Sequence, residues 1–210
     1  VELVKERMDR KGIKDIEFQR LLADLDICSQ EYLALPPIVI LDNMPNAWDL
    51  MKKGEFELAY ARLTDEMVKN PDSLHRTIGL RSRCLLLLDR PDVAVIDFQK
   101  LIELRPYSDY GYIDAGIALW CLDRRNEAVE TWKRALPTTY TDAAGGIEVP
   151  AILTFAAIMM TDRTLEKYSR SLLEKKWKTK RVAVWPGPIA GYLLGKIDDD
   201  TLIRYSMIEN

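Results

Sequence analysis

Along the middle of this chain, apolar residues recur three and four positions apart, and small residues interrupt them at regular places. Ala59, Ala94 and Ala128 stand 35 and 34 residues apart, and each is followed four positions later by a large apolar residue, Leu63, Phe98 and Trp132. Positions three or four apart share one face of an α-helix. A period of this length fits two helices and a turn, a unit that cannot bury its apolar face alone and must stack on copies of itself. The pattern predicts an all-α chain, an α-solenoid of helix-turn-helix pairs. Ala47, Ser82 and Gly116 occupy the first helix of successive pairs, and the three alanines the second. Small side chains there let the paired helices approach closely while the large ones fill the gaps between pairs. Pro71 and Pro106 end helices, because proline has no amide hydrogen to donate.

The flanks read as closing elements. Residues 14–26 place Ile16, Phe18, Leu21, Leu22 and Leu25 at helical spacing, and a short helix over residues 30–35 is cut by Pro36 and Pro37. Residues 1–39 are therefore expected to form an N-terminal helical cap, since solenoid ends need atypical elements. Residues 40–137 are expected to hold three repeats. Residues 138–210 supply a degenerate fourth pair and capping helices, all in one continuous domain. Within them, residues 138–146 form a turn-rich loop ending in Gly145-Gly146, Pro150 opens an apolar helix to about Met160, and a second helix spans residues 164–176. Helices over residues 188–194 and 201–208 close the chain, with Asp198, Asp199 and Asp200 at the positive end of the last helix dipole.

Residues 40–137 resemble the tetratricopeptide repeat (TPR) family. The third repeat places Tyr112, Ala115, Gly116, Leu119, Ala128, Trp132 and Ala135 at the family's signature positions. The first supplies Ala47, Leu50, Gly54, Phe56, Ala59, Leu63 and Pro71, and the second Ser82, Leu85, Ala94, Phe98, Leu101 and Pro106. Glu66 at a usually small position, and an early Pro137, depart from the pattern. The ending Trp185-Pro186-Gly187-Pro188, followed by Tyr192-Leu193-Leu194-Gly195, is similar to that of bacterial TPR proteins, including envelope adaptors. Gly187, Gly191 and Gly195 lie four apart, a stripe expected to pack on the preceding helix.

The TPR resemblance implies a groove, lined by the first helix of each repeat, that holds a protein partner. The matching positions are Met44, Trp48, Met51 and Lys52; then Arg76, Gly79, Arg83 and Leu87; then Tyr110, Ile113, Ile117 and Trp120. Tryptophan, tyrosine, methionine and arginine are the types that dominate interface energies. The family's clamp for chaperone tails needs Lys and Asn where Met44, Trp48 and Asp114 stand, which argues against a chaperone co-factor.

Composition removes other classes. The 210 residues carry a formal charge of −3, too little by itself to predict a nucleic-acid or membrane partner. His75 is the only histidine, so no two-imidazole metal or catalytic cluster can form. Cys28, Cys84 and Cys121 are too far apart for zinc spacing and read as buried free thiols of a reducing compartment. No G-x-S-x-G elbow occurs. Gly195-Lys196 lacks the rest of a phosphate-binding loop. No enzyme, cofactor or metal is expected. No run approaches the length of a membrane span. The chain begins at Val1 rather than methionine, which keeps a removed leader and an extracytoplasmic location open beside a bacterial cytoplasmic one.

One basic run stands out. Between residues 165 and 181, Lys167, Arg170, Lys175, Lys176, Lys178, Lys180 and Arg181 face only Glu166 and Glu174. A solvated helix face is the default reading, and a docking site for an acidic protein the sharper one. Trp177 alone is weak support for nucleic acid. The sequence thus points to a non-enzymatic protein-binding chain: foremost a bacterial immunity protein occluding a cognate toxin, and alternatively an adaptor joining several proteins. A nucleic-acid-binding regulator ranks below both.

Overall fold

The computed structural model describes residues 44–179 and 183–208, so the N-terminal cap expected over residues 1–39, and Cys28, Lys180 and Arg181, lie outside the described residues. The described residues form ten α-helices and no strand. The chain divides into two compact units, the first ending at Arg105 and the second beginning at Pro106. The first unit contains α1 (Ala47–Lys52), α2 (Phe56–Lys69), α3 (Leu74–Leu87) and α4 (Pro91–Leu104). The second contains α5 (Asp109–Cys121), α6 (Arg125–Ala135), α7 (Glu148–Met160), α8 (Arg163–Trp177), α9 (Gly187–Leu193) and α10 (Asp199–Ile208).

Within each unit consecutive helices pack as antiparallel pairs, and one backbone device closes every pair. The amide of Glu55 donates to the carbonyl of Leu50, Arg90 to Leu85, Arg124 to Leu119, Asp162 to Ala157 and Lys196 to Gly191, at 2.8–3.0 Å. These are six-to-one bonds of the Schellman type, which need a left-handed residue just past the helix end. Gly54 (φ 77°), Asp89 (57°), Asp123 (58°), Thr161 (55°) and Gly195 (69°) fill that place. Gly195 is exposed in this turn, so the expected glycine stripe on the closing helix reduces to Gly187 and Gly191, both buried.

The small positions lie where the helices cross. Ala47, Ala59, Ser82, Ala94 and Ala128 are buried, each at 4% exposure or less. In the second unit the fit is tightest at Gly116, where a Cβ would overlap the indole of Trp132. The same indole donates from Nε1 to the Ile113 carbonyl at 3.0 Å, one turn back on α5. A later contact repeats the idea: a Cβ on Gly191 would come within 2.6 Å of the Trp177 ring, which packs with Ile189, Leu193 and Leu194 on a core of Ala144, Ile147, Ala151, Leu173 and Ala190.

The first unit contains an arrangement that the apolar pattern hides. Arg81 on α3 and Asp97 on α4 are 1% and 0% exposed and form a two-pronged pair, Nε to Oδ2 at 2.8 Å and Nη2 to Oδ1 at 2.7 Å. The guanidinium also lies 5.6 Å from the Tyr60 ring centre on α2. Two buried charges cost more in desolvation than an exposed pair, and removing one partner strands the other, at about 3–5 kcal/mol. The pair therefore fixes how α3 meets α4.

Helix boundaries shift slightly from expectation. The apolar helix starts at Glu148 rather than Pro150, because the Asp142 carboxylate accepts the Glu148 amide at 3.2 Å and so caps the chain two residues earlier. Asp198 accepts the Thr201 amide at 2.9 Å and caps α10.

Gly116→Ala is expected to cost about 2–3 kcal/mol, because the added methyl displaces Trp132 and breaks its hydrogen bond. Urea unfolding followed by tryptophan fluorescence measures this, and a change below about 0.5 kcal/mol would mean that the indole does not depend on that glycine. Thr161→Gly should instead stabilise by about 1 kcal/mol, since a β-branched residue is strained at φ 55°. The same titration checks the sign.

Candidate partner-binding site

In the first unit, α1, α2 and α3 enclose a cleft of about 530 Å³ lined by Asn46, Ala47, Trp48, Leu63, Glu66, Ser73, Arg76, Thr77 and Leu80. The structure thus brings two of the groove residues, Trp48 and Arg76, to one place. Asn46 sets the entry angle of α1: its Oδ1 accepts the Asp49 amide at 3.0 Å, and its Nδ2 donates to the Asp49 carboxylate at 2.8 Å. Trp48 is then 54% exposed, with the Lys52 ammonium 5.6 Å from its ring centre one turn on. Met44 and Met51 are half-buried, Leu87 is exposed, and Gly79 is buried within α3. Arg83 is half-buried and engaged with neighbouring groups.

The groove residues of the second unit fare differently from one another. Ile113 is buried at 6% exposure, so its side chain belongs to the interior of the repeat and offers nothing to a partner. Tyr110 is half-buried and has a polar or ring contact of its own. Ile117 is exposed. Trp120 is half-buried among three groups: Trp132 at 5.8 Å and Phe155 at 6.1 Å between ring centres, and the Arg125 guanidinium 5.5 Å from its ring.

That Phe155 contact leads to residues the sequence reading missed. Phe155, Ile158 and Met159 on α7 are 51%, 52% and 54% exposed, and their spacing of three and four places them on one face. The helix is apolar nearly all round, so its sequence reads as a core helix, and periodicity could not separate its buried side (Ala151, Leu153, Ala156, Ala157) from its open one. Large apolar side chains clustered in the open mark an interaction face more often than scattered ones do.

The basic run is partly consumed by the fold. Arg170 donates to the Leu193 carbonyl at the end of α9 and pairs with Glu166 at 3.3 Å. Lys176 donates to the Gly145 carbonyl, and its ammonium lies 5.2 Å from the Tyr140 ring centre, so it pins the loop between α6 and α7 onto α8. Lys167, Lys175 and Lys178 stay exposed.

Chemistry is sparse. Among the described residues no three His, Cys, Asp or Glu side chains gather to hold a metal ion. Burial pushes the Cys84 thiol up to about 12, which keeps it protonated and inert. Cys121 is exposed, which corrects the expectation that both thiols on first helices are buried: it falls on the last residue of α5, facing outward. The Asp109 carboxyl is shifted upward, by burial first and also by the nearby Asp142 charge. Its Oδ2 accepts the Thr141 amide at 3.2 Å, and its Oδ1 has no partner.

No family model matches the chain, and no curated protein matches it. Among solved structures, the crystal structure of MamA is similar, with a TM-score of 0.52 and 16% identity over 80% of this chain and 92% of that one. At such identity the likeness concerns the fold: this chain has the all-α, TPR-like arrangement of helical pairs that its spacing predicts. No described helix is long and apolar enough to cross a membrane.

Asp109 also generates a pH prediction. A carboxyl raised in the folded state binds its proton more tightly there than when unfolded, so its contribution is fully present below the ordinary carboxylate range and is lost as pH rises through the raised value. Asp109→Asn keeps an acceptor for Thr141 but cannot ionise. The variant should gain stability relative to the parent as pH rises through that window; equal pH profiles in denaturant titrations would count against a buried, ionising Asp109.

Proposed function

We propose that this chain is a non-enzymatic protein-interaction module that works as an adaptor. The observation that carries the reading is the open apolar face of α7, Phe155, Ile158 and Met159, beside the stacked Trp120, on a fold of TPR-like helical pairs. Half-exposed aromatic and aliphatic side chains held on packed helices are pre-ordered for association, so little conformational entropy is lost when a partner covers them. The cleft at Trp48 and Arg76 is a second, separate contact region, and two such regions suit a chain that joins proteins.

The narrower reading, a bacterial immunity protein that occludes a toxin, stands second, because it requires one dedicated partner and no feature of either face is particular to a toxin. Among the described residues of the basic run, Lys167, Lys175 and Lys178 are left to support nucleic-acid binding, since Arg170 and Lys176 are engaged within the fold.

The test is affinity capture of partners from the encoding organism by the full chain and by a Phe155→Ser, Ile158→Ser double variant. The adaptor reading expects more than one partner, with affinity for at least one falling about tenfold or more in the double variant while its circular dichroism is unchanged. One stoichiometric partner encoded by an adjacent gene would favour the immunity reading. Binding indifferent to the double variant would remove the α7 face.

A further inference from the structure

We propose that the cleft of the first unit takes a segment of a partner protein in which a carboxylate side chain stands next to a bulky apolar one. This rests on the protein-binding reading above and adds the chemistry of what is bound. The cleft combines an apolar floor with uncompensated positive charge. Leu63 and Leu80 line its depth, and the half-exposed indole of Trp48 forms an apolar wall. Arg76 is exposed at the same cleft and makes no ion pair or hydrogen bond with any described residue. Lys52 lies over the Trp48 ring at 5.6 Å, outside the cleft lining, with the exposed Asp49 carboxylate on the same helix. The one carboxylate lining the cleft, Glu66, is already held by Arg62 at 3.2 Å.

The charged lining of the cleft is therefore one unpaired guanidinium and one carboxylate already held by Arg62, beside an exposed tryptophan. A guanidinium takes a carboxylate through two parallel hydrogen bonds, which fixes the orientation of the incoming group as well as its charge. An apolar side chain adjoining that carboxylate would cover Trp48 and Leu80 and exclude water from the ion pair, which strengthens it. The hydroxyls of Thr77 and Ser73 beside Arg76 are used within the fold, donating to the Ser73 and Asn70 carbonyls at 3.1 and 3.0 Å, so the guanidinium is the polar group left for a ligand. A nucleic acid could also offer an anion and a stacking ring, but it needs a track of cations for successive phosphates, whereas this cleft has one guanidinium and an aliphatic floor.

The experiment is selection of random twelve-residue peptides displayed against the immobilised full chain, in parallel with Arg76→Glu and with Phe155→Ser, Ile158→Ser. The parent should enrich peptides with Asp or Glu adjoining Leu, Ile or Phe, and Arg76→Glu should replace the acidic preference by Lys or Arg. The best parental peptide, made synthetically, should bind Arg76→Glu about tenfold more weakly, and its Asp-to-Asn form should lose about the same in the parent. Circular dichroism verifies that the variant is folded. Peptides with no acidic preference, or with one that survives Arg76→Glu, overturn the inference. So does an oligothymidine that binds in an Arg76-dependent way while no peptide is enriched. If the selection fails but partner capture still depends on Phe155 and Ile158, this inference falls and the protein-binding reading stands; if capture fails as well, both fall.

Discussion

How closely two helices can approach decides nearly everything else in this chain. Each pair is joined by a turn too short to correct a poor fit, so the crossing point must be empty of side-chain bulk on one helix and filled from the other. Gly116 and Trp132 are the extreme case: the absent Cβ makes room for an indole, and the indole in turn satisfies a polar bond on the helix it covers. Arg81 and Asp97 solve the same problem in the first unit with charge instead of volume. Because inward-facing small and large residues already meet the packing demand, the outward side of each first helix is free to vary, and there Trp48, Arg76, Ile117 and Phe155 stand.

The fold class was legible in the sequence because its determinants are local and periodic. The spacing of Ala59, Ala94 and Ala128 reports a crossing point, and a crossing point repeats only if the helical pair does. The turns could have strengthened that reading: Gly54, Asp89 and Asp123 carry the same period in the left-handed position, and Asp is among the few non-glycine residues that tolerate it. What could not be read is pairing between residues that look polar and solvent-directed. Arg81 and Asp97 have the composition of a surface, and only the packing of α3 on α4 turns them inward.

The candidate site was less legible, for a related reason. Family register names the helix position that faces a partner, but exposure depends on what neighbours cover. Ile113 is enclosed within its own repeat, and Trp120 is partly covered by Trp132, Phe155 and Arg125. Conversely, the open side of α7 was hidden by the uniform apolarity of that helix, in which nothing distinguishes core from surface until α8 packs on one flank. The basic run shows the same limit from the polar side: Arg170 and Lys176 cap a helix end and hold a loop, roles set by contacts distant in sequence.

Hydrogen-exchange mass spectrometry of the full chain, alone and saturated with a captured partner, tests the central claim most directly. Slowed exchange is expected in the segments around residues 117–120 and 152–159, or 46–52 and 73–80, and nowhere else, with α6 and the exposed face of α8 unchanged. Protection centred on α8 and its lysines, with none at those segments, would contradict it.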